Sequence, residues 1–143
     1  MQELFLWNTE VQKVYLKDFK KDYAVLLFFP FAYTSNCIKE VCYFNPQDYP
    51  KVDFYGISVD SPFCLKNFKE HSEVKIHLYS DFNRNVSHYF SCLEENFLGF
   101  KNICKRAAVC IDKNFDIVYS EILENGQKQL NFTSLESFLN ELL

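Results

Sequence analysis

The stretch YAVLLFFPFAYTSNCIKEVC, residues 23–42, decides the fold because two opposite structural patterns meet in it. Residues 23–29 are continuously apolar and rich in β-forming side chains, which is typical of a strand buried on both faces. Pro30 has no N–H to donate to a sheet and ends that strand. A helix is then predicted from about Cys37 to Tyr43. The stretch therefore predicts a buried strand, a short connection and a helix whose first turn holds a cysteine.

The rest of the chain alternates predicted strands with predicted helices. The predicted elements are a hairpin of Leu4–Trp7 and Val11–Tyr15, one turn within Leu16–Lys21, strand 23–29, helix 37–43 capped by Ser35 or Asn36, strand 52–59, helix 62–71, strand 76–79, helix 86–90, an antiparallel pair 107–111 and 117–123, and helix 135–143. Parallel crossovers followed by an antiparallel hairpin indicate an α/β protein with a mixed central β-sheet flanked by helices on both faces. This is the layout of a thioredoxin-like fold.

Length and composition limit the classes to which the chain can belong. The chain has 143 residues, which fits a single domain, 1–143. Its net charge of −4, without a concentrated basic patch, argues against nucleic acid as a partner. The longest apolar run is interrupted by Pro30 and is too short to span a membrane. The N-terminus shows no secretory signal, so we expect a cytoplasmic protein.

The six cysteines are the chain's most informative residue type. In a reducing compartment lasting disulfides are uncommon, so a pair of thiols is either redox-active or part of the core. Zinc is a poor fit because no C-x2-C pair occurs and His71, His77 and His88 are scattered. We therefore expect no metal site, and no feature of the sequence implies an organic cofactor.

Cys37 has the sequence context of a reactive thiol. The thiolate is the nucleophilic form, and the first turn of a helix favours it through unpaired N–H groups and the helix dipole. The fold can bring in a cation from Lys105-Arg106, and the Thr34 hydroxyl lies three residues upstream. From these residues alone, a structural cysteine buried near a helix start remains an equal alternative.

Residues 30–37, PFAYTSNC, match the P-x-x-x-T-x-x-C motif of peroxiredoxins, the thiol peroxidases of thioredoxin-like fold. Further segments along the chain resemble the same family: Cys37–Glu40 its C-x-x-E, Tyr55–Ser61 its G-[IV]-S-x-D-S, Tyr79–Asn83 its L-S-D strand end, and Lys105–Ala108 its active-site arginine segment. The five-residue spacing from Cys37 to Cys42 resembles the Q-type, or bacterioferritin comigratory protein, group. The chain is also similar to E-type peroxiredoxins.

This resemblance implies a role for each matched residue. Cys37 would be the peroxidatic thiolate, and Thr34 would hydrogen-bond the peroxide. Arg106 would stabilise the thiolate and the charge developing on the breaking O–O bond. Pro30 would shield Cys37 from water, and Glu40 would orient Arg106.

The resemblance also implies a resolving role for Cys42, through a Cys37–Cys42 disulfide. Five residues of α-helix separate two Cα atoms by roughly 8–9 Å, beyond the limit of about 7 Å for a disulfide. The disulfide therefore requires local unwinding of the helix. If Cys42 is only a core residue, the enzyme uses one cysteine and an external thiol. Cys92 and Cys104 are further candidates for the resolving thiol.

The sequence thus predicts a thiol peroxidase that reduces hydrogen peroxide and organic hydroperoxides and is recycled by thioredoxin or a similar dithiol reductant. The alternative is a non-enzymatic redox sensor or holdase on the same fold, which would need only a reactive thiol. A monomer or a homodimer fits the resemblance. A thioredoxin-type oxidoreductase fits less well, because the C-x-x-C that it requires is missing.

Overall fold

A computed structural model describes residues 3–143. Met1 and Gln2, which belong to the predicted domain and to the N-terminal stretch without a secretory pattern, lie outside the described residues. The strands are β1 Phe5–Trp7, β2 Lys13–Tyr15, β3 Tyr23–Phe28, β4 Val52–Ser58, β5 His77–Ser80, β6 Leu93–Glu94, β7 Ile103–Cys104, β8 Ala107–Asp112 and β9 Ile117–Ile122. The helices are α1 Ser35–Cys42, α2 Pro62–Glu70, α3 Asn85–Tyr89 and α4 Phe132–Asn140. Within residues 3–143, no helix has the length and apolarity needed to cross a bilayer.

Seven strands form one mixed sheet in the order β2-β1-β5-β4-β3-β8-β9. Strand β3 pairs in parallel with β4 and antiparallel with β8, and β4 pairs in parallel with β5. The two crossovers from β3 to β4 and from β4 to β5 step in the same direction across the sheet. Since such crossovers are right-handed, α1 and α2 lie on the same face.

Strand β3 is buried on both faces, as its apolar sequence predicts, and its side chains alternate between two cores. The Cys37-side core contains Val25, Leu27 and Phe29 of this segment, with side chains of α1, α2 and α4. The far core contains Ala24, Leu26 and Phe28, with side chains of α3 and of the N-terminal hairpin. Helices therefore cover both faces, and the predicted mixed sheet flanked by helices is confirmed.

The boundaries differ from the predictions at a few places. Helix α1 begins at Ser35, and its N-cap is Thr34, whose side chain makes no capping hydrogen bond. The predicted caps Ser35 and Asn36 were therefore wrong, and α4 begins at Phe132, three residues before its predicted start. The sequence also did not reveal the two-stranded ribbon β6–β7, which forms a second, small sheet.

Gly56 in β4 gives the fold a testable packing constraint. A Cβ added there would lie 2.6 Å from Cδ2 of Leu78 and 3.1 Å from Cδ1 of Ile76. We expect Gly56→Ala to lower the free energy of unfolding by about 1–3 kcal/mol, because overpacking displaces these side chains. Urea unfolding measures the change, and Gly126→Ala is the control, since its Cβ would make only ordinary contacts, the nearest at 3.5 Å. A Gly56→Ala protein as stable as wild type would contradict the expectation.

Candidate active site

Cys37 is the third residue of α1 and lies just beyond the carboxyl end of β3. Its side chain is buried, with 1% of its surface exposed. The first helical hydrogen bond of α1 runs from the Ile38 N–H to the Thr34 carbonyl, at 2.9 Å. The Cys37 N–H comes before this first helical hydrogen bond, and none of the described residues accepts a hydrogen bond from it. A free N–H and the positive end of the helix therefore lie at the thiol.

Arg106 is the cation at this thiol. It immediately precedes β8, the antiparallel neighbour of β3, so the sheet brings it to the Cys37 end of β3. Its Nη2 lies 3.3 Å from Sγ of Cys37, and its Nε donates to the carbonyl of Gly126 at 2.9 Å. The guanidinium is almost fully buried, where its charge acts on the sulfur with little screening by water. The neighbouring Lys105 points elsewhere and pairs with Glu124 at 3.4 Å.

Glu40 holds the other side of the guanidinium. Its Oε1 accepts from Nη1 of Arg106 at 2.8 Å, whereas its Oε2 has no hydrogen-bond partner. The carboxyl is completely buried, and this burial raises the pKa of Glu40 to about 8, while the Arg106 cation opposes the shift. Cys37 and Glu40, one helical turn apart on α1, thus face the same guanidinium.

The loop between β3 and α1 is fixed by groups at the ends of neighbouring strands. Asp60 follows β4, and its Oδ2 accepts from the Ala32 N–H at 2.8 Å and from the Ser58 hydroxyl at 2.7 Å. Within the loop, the Thr34 hydroxyl donates to the Phe31 carbonyl at 3.0 Å. The lone pairs of the Thr34 oxygen therefore remain available as acceptors in front of Cys37.

A cavity of about 690 Å³ opens over the Cys37 thiol. Its lining brings together Pro30, Thr34, Cys37 and Arg106 from the sequence-predicted set, with the apolar side chains Phe31, Phe97, Leu98 and Phe100 and the polar residues Ser35, Asn36, Gly126 and Gln127. Pro30 is buried and is one of the residues that line the cavity beside Cys37. The Cys37 thiol is therefore among the groups that line an open cavity.

Cys42, the candidate resolving residue, is the last residue of α1. It is half-buried and packs against the Cys37-side core, and burial raises the pKa of its thiol. Since one continuous helix contains both cysteines, the structure describes the reduced, unpaired arrangement of Cys37 and Cys42.

The other four cysteines lie away from the Cys37 thiol. Cys92 and Cys104 are buried in the far core, across the sheet from Cys37, and burial raises the pKa of Cys92 to about 12. Cys110 is buried in β8, and Cys64 is the third residue of α2, next to its Ser61 cap. Among residues 3–143, no group of three His, Cys, Asp or Glu side chains is placed to hold a metal ion.

Sequence reasoning did not assign a function to several groups of the site. The Gly126 carbonyl reaches Arg106 from a loop that no motif marks. Asp60 lies in the Tyr55–Ser61 segment that resembles the peroxiredoxin G-[IV]-S-x-D-S motif. Its position just after a buried strand was the one sequence signal that it could hold the loop between β3 and α1. Phe97 and Phe100 belong to the unpredicted ribbon.

Solved structures with the same fold support the predicted fold class. A peroxiredoxin-like protein from Aquifex aeolicus superposes with a TM-score of 0.88 at 23% identity, over 99% of this chain and 84% of the other. The peroxidoxin BcpB from Mycobacterium tuberculosis gives 0.83 at 21% identity, over 100% and 95%. Together with the mixed sheet, these likenesses confirm the thioredoxin-like fold.

Sequence comparison identifies relatives and a family. Peroxiredoxin Bcp of Escherichia coli K12 is 32% identical over 93 residues, which are 62% of this chain and 60% of the relative. The ycf42 protein of Porphyra purpurea, described as a peroxiredoxin, is 27% identical over 135 residues, 85% of this chain and 65% of the relative. The chain thus spans less than two thirds of the length of either relative. The AhpC/TSA family matches residues 2–120, most of the chain. The resemblance to peroxiredoxins of the Bcp group is confirmed, and the chain belongs to the AhpC/TSA family.

Proposed function

We propose that the chain is a thiol-dependent peroxidase that reduces hydrogen peroxide and organic hydroperoxides at Cys37. The observation that carries the proposal is the 3.3 Å approach of Arg106 Nη2 to Cys37 Sγ at the base of an open cavity. A buried guanidinium beside a thiol stabilises the thiolate, and the cavity gives a substrate access to it. Family membership and the Bcp relatives support the same chemistry.

In the first step, the Cys37 thiolate attacks the terminal oxygen of the peroxide. A bond forms between sulfur and that oxygen, the O–O bond breaks, and the leaving oxygen takes up a proton to give water or an alcohol. Sulfur is oxidised to a sulfenic acid while the peroxide is reduced. Arg106 lies where it can stabilise the negative charge that develops on the leaving oxygen.

Three other groups position the peroxide. The Thr34 oxygen, whose proton is committed to the Phe31 carbonyl, accepts a hydrogen bond from the peroxide O–H. The Cys37 N–H, which has no acceptor among the described residues, donates to a peroxide oxygen. Glu40 orients Arg106 through Oε1, and Pro30 limits the access of water.

Cys42 resolves the sulfenic acid in a second step. Its thiolate attacks the Cys37 sulfur, a disulfide forms, and hydroxide leaves and is protonated to water. Because α1 spans both residues, the helix must unwind locally between Cys37 and Cys42. Thioredoxin or a similar dithiol then reduces the disulfide. In the one-cysteine alternative, an external thiol reduces the sulfenic acid directly.

The intact mass of the reduced protein after one equivalent of hydrogen peroxide, followed by peptide mapping, tests both steps. We expect a loss of about 2 Da that maps to Cys37 and Cys42, since disulfide formation removes two hydrogens. A gain of about 16 Da on Cys37 alone would show the one-cysteine cycle. An unmodified Cys37 would contradict the peroxidase proposal.

Cys64→Ser is the matched control for this experiment. Cys64 is also the third residue of a helix, yet burial and the nearby Asp60 raise the pKa of its thiol. The variant should react as wild type does, whereas Cys37→Ser should not consume peroxide. Oxidation of Cys37 without turnover in the presence of any thiol donor would favour the redox sensor instead.

A further inference from the structure

The outer wall of the active-site cavity is built by the tip of the β6–β7 ribbon. Phe97 and Phe100 face each other there, with the Phe97 N–H donating to the Phe100 carbonyl at 2.7 Å and the reverse bond at 2.9 Å. Leu98 and Gly99 connect them with positive φ angles of 54° and 90°, as in a two-residue hairpin turn of type I′. The Asn96 side chain accepts from the Gly99 N–H at 2.8 Å. The tip is therefore a defined turn that presents two phenylalanines to one side.

Phe31, which follows Pro30 in the peroxidatic loop, completes this surface. Its ring is stacked with that of Phe97, with centroids 6.4 Å apart, and meets the ring of Phe100 edge-on at 5.0 Å. We call Phe31, Phe97 and Phe100 the aromatic wall. Phe100 is 56% exposed and the adjacent Leu98 is 69% exposed, so the wall has apolar surface that the protein itself does not cover.

The size of the cavity exceeds what hydrogen peroxide needs. Its volume is about 690 Å³. A water-sized molecule takes up about 30 Å³, whereas cavities of about 300–1,000 Å³ enclose organic ligands. The aromatic wall is part of the lining of this cavity, and hydrogen peroxide is too small and too polar to fill it.

The charges around the cavity favour a neutral ligand. Among the described residues that line it, Arg106 is the one with a formal charge, and it is engaged by Glu40 and directed at Cys37. The adjoining groove, across the ribbon tip, is lined by Glu94 and Glu124. Lys105 is paired with Glu124 at 3.4 Å, so a carboxylate on a long substrate would meet Glu94 and a lysine that is already paired.

We propose that the aromatic wall makes this chain select neutral hydroperoxides that carry a bulky apolar or aryl group over hydrogen peroxide. The inference rests on the proposed peroxidase function and names the substrate class of the same site. The Cys37 thiolate takes the terminal oxygen of R–O–OH, the O–O bond breaks, and the protonated leaving group is the alcohol R–OH. Group R packs on Phe31, Phe97 and Phe100 during this step, and a dithiol later returns the sulfur to the thiol.

Competition kinetics with cumene hydroperoxide and hydrogen peroxide test the selection. We expect wild type to react at least about tenfold faster with cumene hydroperoxide, since burial of the aryl group adds binding energy. The double variant Phe97→Ala/Phe100→Ala should lose about tenfold on cumene hydroperoxide and stay within about twofold of wild type on hydrogen peroxide. Phe97→Leu/Phe100→Leu, which keeps the wall apolar, should retain most of the cumene hydroperoxide rate.

Phe63→Ala is the matched control, because Phe63 is an exposed phenylalanine that lines a different cavity. The inference is overturned if wild type shows no preference for cumene hydroperoxide, or if the double alanine variant loses both rates equally or neither. A wild-type protein that reacts with neither peroxide would instead overturn the proposed function itself.

Discussion

Replacing Arg106 with alanine is expected to lower the second-order rate constant of Cys37 with hydrogen peroxide by about 10²–10³-fold, the usual cost of removing one preorganised donor from a developing negative charge. Arg106 is the cation that contacts Sγ of Cys37, at 3.3 Å, and it has almost no solvent exposure. Its loss removes the charge that stabilises both the thiolate and the leaving oxygen. Stopped-flow measurement under pseudo-first-order peroxide gives the rate constant directly.

Two further variants separate charge from geometry at this position. Arg106→Lys keeps a positive charge but cannot bond the Gly126 carbonyl, Glu40 and Cys37 at once, so it should recover only part of the rate. Lys105→Ala removes the adjacent cation, which pairs with Glu124, and should react at the wild-type rate. An Arg106→Ala protein that reacts within about threefold of wild type would contradict the role, because one donor of this kind contributes far more.

Local patterns in the sequence predict most of the fold. Strand β3 is continuously apolar because it lies between β4 and β8 and faces two cores, and this burial is visible in its composition. Helix α2 begins at Pro62, the predicted start, and the Ser61 side chain caps it locally by accepting from the Cys64 N–H at 3.1 Å. Such features can be recognised within a short stretch of residues, so a single sequence is sufficient to predict them.

The remaining features depend on contacts between distant residues. The hydrogen bond from Arg106 to the Gly126 carbonyl and the one from the Ala32 N–H to Asp60 each join residues at least 20 positions apart. Neither hydrogen bond therefore leaves a periodic pattern in the sequence. The ribbon β6–β7 has only two residues in each strand, too few for an alternation of apolar and polar side chains to be recognised. The resemblance to peroxiredoxins identified Cys37, Thr34 and Arg106 as site residues. The shape of the cavity above them could be described only from the structure.

The stability of the protein is expected to fall as the pH rises from about 5 to about 8, by up to about 1.4 kcal/mol per pH unit, because of Glu40. Burial raises the pKa of Glu40 to about 8, while a glutamate in the unfolded chain titrates near about 4.3. Between these values the folded protein holds a proton that the unfolded chain has released, so each rise in pH favours unfolding. The lack of a partner at Oε2 acts in the same direction, since an unpaired buried charge costs far more than an unpaired neutral group.

Glu40→Gln should remove this dependence, because the amide is neutral at every pH and its oxygen can still accept from Arg106. Relative to wild type, the variant should therefore become more stable between pH 5 and 8, and urea unfolding of the reduced proteins at several pH values measures the difference. Glu141→Gln, at an exposed carboxyl just after α4, should show no such change. A constant difference between wild type and Glu40→Gln across this range would mean that Glu40 is ionised in the folded state and that its charge is fully compensated by Arg106.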